Sequence, residues 1–270
     1  MSAPHNFASN SLPAAEWLTT TPGQRLLLAE KAALEAALDS VFGDQLVQIG
    51  EWGGDCFRGL ARTRRHLVLA DTPGDGTSAI TRLDDLAVAS DSVDAVLLPH
   101  ALEMTDYPHA VLREVDRILR PDGHIVSLGF NPFGFWGLRH RLSRRTYPPG
   151  ARRLISERRL RDWLRLLNYK VEETAWYHYQ LPLKAAHPII ADGQAPEPLG
   201  RVDEPATVSA ANDAVWQSGW RRLRTWPPFA ACYLLVARKE MYTVTPLRQS
   251  WRRPRQVVGS LVNPTTRNAA

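Results

Sequence analysis

Four short apolar runs punctuate the middle of the chain: residues 46–50 (LVQIG), 65–70 (RHLVLA), 94–98 (DAVLL) and 124–130 (HIVSLGF). Each is too short for a self-burying helix and too continuously apolar for a strand with one wet face, so each reads as a strand covered on both sides. Helices are predicted between and around them. Over 23–41, Leu26, Leu27, Ala29, Ala33, Leu34, Ala37, Leu38 and Val41 recur at helical spacing with Glu30 and Lys31 outside, and Gly43 is a plausible stop. A helix is expected over 55–64. Another is expected over 107–119, with Val111, Leu112, Val115, Ile118 and Leu119 inward and Pro121, Asp122 and Gly123 ending it. Residues 156–167 read as a helix with its own capping signal, 78–81 as a weak strand, and 170–176 and 229–238 as further strands. Residues 1–22 carry no periodicity. Short apolar strands alternating with helices call for an α/β fold, a doubly wound and mainly parallel sheet covered on both faces.

Composition narrows the remaining classes. With 270 residues, 44% of them hydrophobic and 23% charged, the chain can bury a full core, which excludes wholesale disorder, collagen and small disulfide scaffolds. Cys56 and Cys232 are the two cysteines, far apart and in no CxxC or CxxH group, so neither a zinc site nor a disulfide framework is expected and the reduced cytoplasm is the expected compartment. The apolar run 229–237 is too short to span a bilayer, and residues 1–20 lack the basic start and apolar middle of a signal peptide. A soluble protein without a membrane partner is expected. Its organisation is read as an N-terminal extension (1–22), one domain (23–240) with an exposed proline-rich insertion near 184–214, and a loose tail (241–270) with five arginines and no acid.

In such sheets ligands sit beyond the carboxyl ends of the strands, at the switch in strand order. After the first strand come Gly50, Glu51, Trp52, Gly53, Gly54 and Asp55, where glycines let the backbone turn sharply and approach a ligand. After the second comes Asp71, 21 residues beyond Gly50, a carboxylate placed to accept both hydroxyls of a ribose. Taken singly, the glycines also fit a plain tight turn and Asp71 a solvated strand end.

In order and spacing, LVQIG-EWGG, HLVLAD, LAVASDSVDAVLLPHALEM and HAVLREVDRILRPDGHIVSLGF resemble the class I, seven-stranded S-adenosyl-L-methionine-dependent methyltransferases, closest to the type 11 branch that acts on small molecules. The layout also resembles bacterial proteins of unassigned substrate that carry GFNPFGFWGLR after the fifth strand. The resemblance implies a three-layer fold whose seventh strand, 229–238, is antiparallel, with an acceptor-side insertion. It implies that Gly50, Gly53 and Gly54 line the methionine part of the cofactor and Asp71 its ribose. Residues 83–86, among them Leu83, Asp84 and Asp85, would edge the adenine, and Leu98 to His100 would lie under the sulfonium. Three positions depart from the pattern. Trp52 stands where glycine is usual, Gln48 where an acid is usual two residues before the first glycine, and Arg82 where an acid would meet the adenine amino group. A large side chain at 52 obstructs close backbone approach unless it turns outward, and Gln48 can still hydrogen-bond an ammonium through its carbonyl.

Methyl transfer needs a base only when the acceptor loses a proton at the transition state. His100, just after the fourth strand, is the candidate; a partly buried histidine bonded to backbone explains it equally well. Glu103 and Asp106 are weaker choices that fit helix caps. Phe130, Phe133, Phe135, Trp136 and Leu138, hinged by Gly134 and Gly137 after the turn at Asn131-Pro132, suit either an acceptor-pocket wall or packing on the N-terminal helix. Residues 139–165 hold ten arginines against Glu157 and Asp162, with Arg158, Arg161 and Arg165 on the outer face of an amphipathic helix. Two classes of function follow. One is methyl transfer from S-adenosyl-L-methionine to a small, partly apolar or anionic acceptor, with nucleic acid ranked below it. The other is a catalytically silent methyltransferase-like binding protein.

Overall fold

The computed structural model describes residues 11–74, 76–142, 147–179 and 230–240. Seven strands form one sheet: β1 (Phe42–Ile49), β2 (Arg62–Ala70), β3 (Ala79–Ile80), β4 (Val93–Pro99), β5 (Leu119–Phe130), β6 (Tyr169–Tyr177) and β7 (Cys232–Lys239). Their spatial order is β3-β2-β1-β4-β5-β7-β6. The pairs from β3 to β5 are parallel, and β7 runs antiparallel to both β5 and β6. This is the fold of the class I methyltransferases, with the expected antiparallel final strand.

The central strands β4, β5 and β7 and the carboxyl-terminal half of β1 are largely apolar because their side chains alternate between two covered faces. Leu46, Leu97, Val126, Leu128, Leu234 and Val236 pack under α1 (Ser11–Leu18) and α2 (Thr21–Leu38). Val47, Ile49, Val96, Leu98, Ile125 and Leu235 pack on the other face, against α4 (Pro108–Ile118) and α6 (Glu157–Leu166). Helix α4 buries Val111, Leu112, Val115 and Ile118, the stripe read from the sequence. Ser156 caps α6 by accepting from the Arg159 amide, as its position suggested.

Two expectations fail. The predicted helix over 55–64 is a single 3₁₀ turn, Gly54–Phe57, because Gly59 adopts φ +81° and the chain must extend by Arg62 to pair with β1. Within 1–22, read as an extension without periodicity, residues 11–18 form α1; Ala14, Trp17 and Leu18 are buried at helical spacing, but one short helix repeats too few times to show a period. The insertion near 184–214 and the tail lie outside the described residues.

Candidate functional site

At the carboxyl ends of β1 and β4 the sheet changes direction of growth, and a cavity of about 590 Å³ opens there. The glycine loop follows β1. The Gly50 amide makes the last ladder bond to Leu69 (2.8 Å), and then Gly50, Gly53 and Gly54 take φ +91°, +75° and +48°. A Cβ on Gly53 would lie 2.5 Å from the Phe57 ring, so this turn is closed to larger residues by space as well as by φ. Beneath the loop, the buried Gln48 amide nitrogen donates to the carbonyls of Gly50 and Trp52, both at 3.2 Å, and so braces the turn from the strand below.

Trp52 solves its own steric problem. Its indole is 2% exposed, turned into the core and packed against Trp17, His100 and Phe130, with Nε1 donating to Glu30 Oε2 at 2.9 Å. Gly50, Trp52, Gly53, Gly54, Asp71, Leu83 and Asp84 all line the cavity. Gln48, Asp85, Leu98 and His100 do not; Gln48, Leu98 and His100 are fully buried beneath it. Both carboxylate oxygens of Asp84 are held by the Arg82 guanidinium (3.0 and 2.8 Å), so the departure at 82 is neutralised within its own turn.

His100 is therefore corrected from candidate base to buried hub. Its ring is wholly inaccessible, stacks on Phe130 at 3.8 Å, and sits between two carboxylates: Nε2 is 2.8 Å from Glu30 Oε1 and Nδ1 is 3.2 Å from Glu103 Oε2. Burial alone would push its pKa down, but the Glu30 charge and the bonds to Glu103 and Glu30 outweigh it and raise the imidazole to about 9. A ring carrying both protons and walled off from the cavity cannot take a proton from an acceptor. Glu30, assigned to the outer face of its helix, is the second correction: it is fully buried. It falls in line with Leu26 and Leu34, four residues to either side, and that coincidence was the available signal.

Glu103 was read as a weak base or helix cap and is in fact a junction. Its carboxylate accepts from the amides of Phe130 (3.0 Å) and Ile155 (3.0 Å), and its carbonyl from Arg152 (2.9 Å) and Arg153 (3.3 Å). Trp136, on α5 (Phe135–Leu142), packs edge-on to Trp17 at 5.9 Å, so this part of the aromatic cluster covers the N-terminal helix, whereas Phe133 and Leu138 face outward. Residues that sequence reasoning did not place in the site complete the cavity: Ala14, Leu18, Gln24 and Leu27 from α1 and α2, Met104, and Arg152, which pairs with Asp106. Among the lining residues, Arg82 and Arg152 are already ion-paired with Asp84 and Asp106, and Asp55 pairs with Arg58. Glu51 and Asp71 remain as surplus negative charge, which suits a cationic ligand. Among the described residues no helix is long and apolar enough to cross a membrane.

Residues 61–127 match the family described as "Methyltransferase domain". An uncharacterised protein of Escherichia coli K12, YafS, is 34% identical over 183 residues, covering 65% of this chain; the chain spans 62% of that relative's length. Two solved structures share the fold at TM-score 0.50. One is a Thermotoga maritima methyltransferase described as a possible histamine N-methyltransferase (16% identity, 80% of this chain and 89% of that one). The other is the 1,6-didemethyltoxoflavin-N1-methyltransferase of Burkholderia thailandensis, solved with its acceptor and S-adenosylhomocysteine (13% identity, 89% and 92%).

Proposed function

We propose that this chain, which has the class I methyltransferase fold and matches a methyltransferase-domain family over residues 61–127, transfers a methyl group from S-adenosyl-L-methionine to a small, partly apolar acceptor. The observation that carries the reading is the cavity at the β1/β4 switch, lined by the glycine loop and by Asp71, with the Trp52 indole packed on Trp17, His100 and Phe130. The residues present fit the cofactor: three glycines at positive φ allow close backbone approach, and Glu51 and Asp71, which have no ion-pair partner among the described residues, suit a cationic sulfonium and ammonium. Gly50, Gly53 and Gly54 would hold the methionine part, Asp71 the ribose hydroxyls, and the turn at Leu83 and Asp84 the adenine edge. When bound, the cofactor supplies a methyl group activated by attachment to a cationic sulfonium, whose sulfur leaves as a neutral thioether.

What the protein must then contribute is position and dryness. Ala14, Leu18, Leu27 and Met104 give the cavity apolar lining against which an acceptor can be held away from water. The Arg152–Asp106 pair offers an acceptor both hydrogen-bond donors and acceptors. Since both lining arginines are matched by carboxylates, these contacts favour a neutral or weakly polar acceptor over a strongly anionic one. The packing of the Trp52 indole on Trp17, His100 and Phe130 supports this reading over that of a silent binding protein.

Calorimetry with S-adenosylmethionine and S-adenosylhomocysteine tests this directly. The wild-type chain is expected to bind both, and Asp71→Ala to weaken each by about tenfold or more, as for loss of a charge-assisted hydrogen bond of about 1.5–3 kcal/mol. No heat at millimolar ligand, or unchanged affinity in Asp71→Ala, overturns the reading.

A further inference from the structure

A closed polar network lies beside the cavity without opening into it. Glu30, at 0% exposure, divides its two oxygens between elements: Oε2 accepts from the Trp52 indole at 2.9 Å, and Oε1 meets His100 Nε2 at 2.8 Å. The other side of His100 is held by Glu103, which grips the amides of Phe130 and Ile155. We propose that Glu30 is a positioning residue for the cofactor loop: by holding the Trp52 indole and His100 at once, it makes the N-terminal helix pair and the glycine loop move as one body. The inference rests on the cofactor reading above and assigns that site a dependence on α1 and α2.

Three observations support the coupling. First, a carboxylate here is costly to bury and stable only when both oxygens are matched, whereas a leucine would pack without conditions. Glu30 therefore favours one arrangement of its partners over all others. Secondly, the loop it reaches has little else to anchor it. Gly50, Gly53 and Gly54 supply no side chain, which leaves the indole as the large handle between them, braced from below by Gln48. Thirdly, α2 itself carries cavity-lining residues. Leu27 lies one turn before Glu30, and Gln24 one turn before that; the Gln24 side chain donates to the Leu18 carbonyl at 2.9 Å and so holds the α1–α2 turn that presents Leu18. Whatever sets the register of α2 against the loop thereby sets the width of the cavity. The tryptophan that departs from the family's glycine pattern is the part through which this is done.

Glu30→Gln, Trp52→Phe and the double variant of the full chain separate this from simple core packing, since Trp52→Phe keeps one aromatic ring and loses the second ring of the indole with its N–H. Amide hydrogen exchange is followed over residues 11–38 and 50–56, alongside calorimetry with S-adenosylhomocysteine. Each single variant should speed exchange in both segments while β5 and β7 stay protected. Each should also weaken the ligand by about tenfold, and the double variant should be little worse than either single one, as for two groups acting as a unit. Unchanged exchange over 50–56 in the single variants, or fully additive losses in the double one, overturns the proposal. Should Glu30→Gln fail to fold, exchange in Trp52→Phe decides it. Should the wild type bind no S-adenosylhomocysteine, the cofactor reading fails, and the exchange measurements still decide the coupling.

Discussion

At the scale of single residues, the departures from the family pattern turn out to be linked. An acid is usual where Gln48 stands, yet a carboxylate there would face two carbonyl oxygens, those of Gly50 and Trp52, from a fully buried position. Only an amide nitrogen can donate to both. Gln48→Glu is therefore expected to lose about 1–3 kcal/mol of stability, the cost of a buried polar group left facing like partners. Chemical denaturation measures this, and a Gln48→Glu protein as stable as the wild type would show that the brace under the loop is unimportant. The identities of Gln48, Trp52 and Glu30 are plain in the sequence, but their pairing is not, because they lie on a strand, a loop and a helix that only the fold brings together.

The elements meet at His100, where the chain leaves β4 in the left-handed region (φ +55°) and enters α3 (Ala101–Met104). Facing this imidazole are Glu30 from α2 and Glu103 from α3, with Cys232 of β7 and Tyr177 of β6 also within reach of both charges. Burial raises the Glu103 carboxyl, against the opposing effect of its bonds to His100 and to the two backbone amides, while the carboxylates lift His100 from 6.5 to about 9. Both shifts mean that the native state keeps protons the unfolded chain has released, so stability falls as pH rises. The histidine's share is complete below about 6.5 and is lost as pH climbs through about 9. The melting temperature of the wild type should decline across that window, and His100→Gln should be less stable at neutral pH but flatter in its pH response. A wild-type profile that is level there would mean the ring is not charged. Most elements themselves were legible, since β4 is a continuous apolar run and α4 and α6 carry complete helical patterns. The segment after the glycine loop was not, because a helix-compatible composition was overridden by Gly59 and by the register of β2.

For the whole molecule, the decisive relation is between the sheet and the helices N-terminal to it. The sheet supplies the glycine loop and Asp71, while α1 and α2 supply another wall of the same cavity. Trp17 ties that wall to the interior, lying 6.1 Å from Trp52, 5.9 Å from Trp136 and 5.9 Å from Tyr147. Removing residues 1–20 should leave the sheet's circular dichroism intact and cost about tenfold or more in S-adenosylhomocysteine affinity, because one wall of the desolvated site is gone. Undiminished affinity in that truncated chain would assign the cavity to the sheet alone.

The strands, their mainly parallel order and the glycine loop with Asp71 follow from local patterns: continuous apolar runs, turn residues and a fixed spacing, all of which act over short stretches of chain. Tertiary structure alone decided which polar residues are buried with which. Glu30 and His100 stand 70 positions apart, and the burial that makes one a carboxylate anchor and the other a proton-holding hub exists only once α2 is laid across the ends of β1 and β4. Desolvation and charge pairing are properties of that packed arrangement, and no local pattern encodes them.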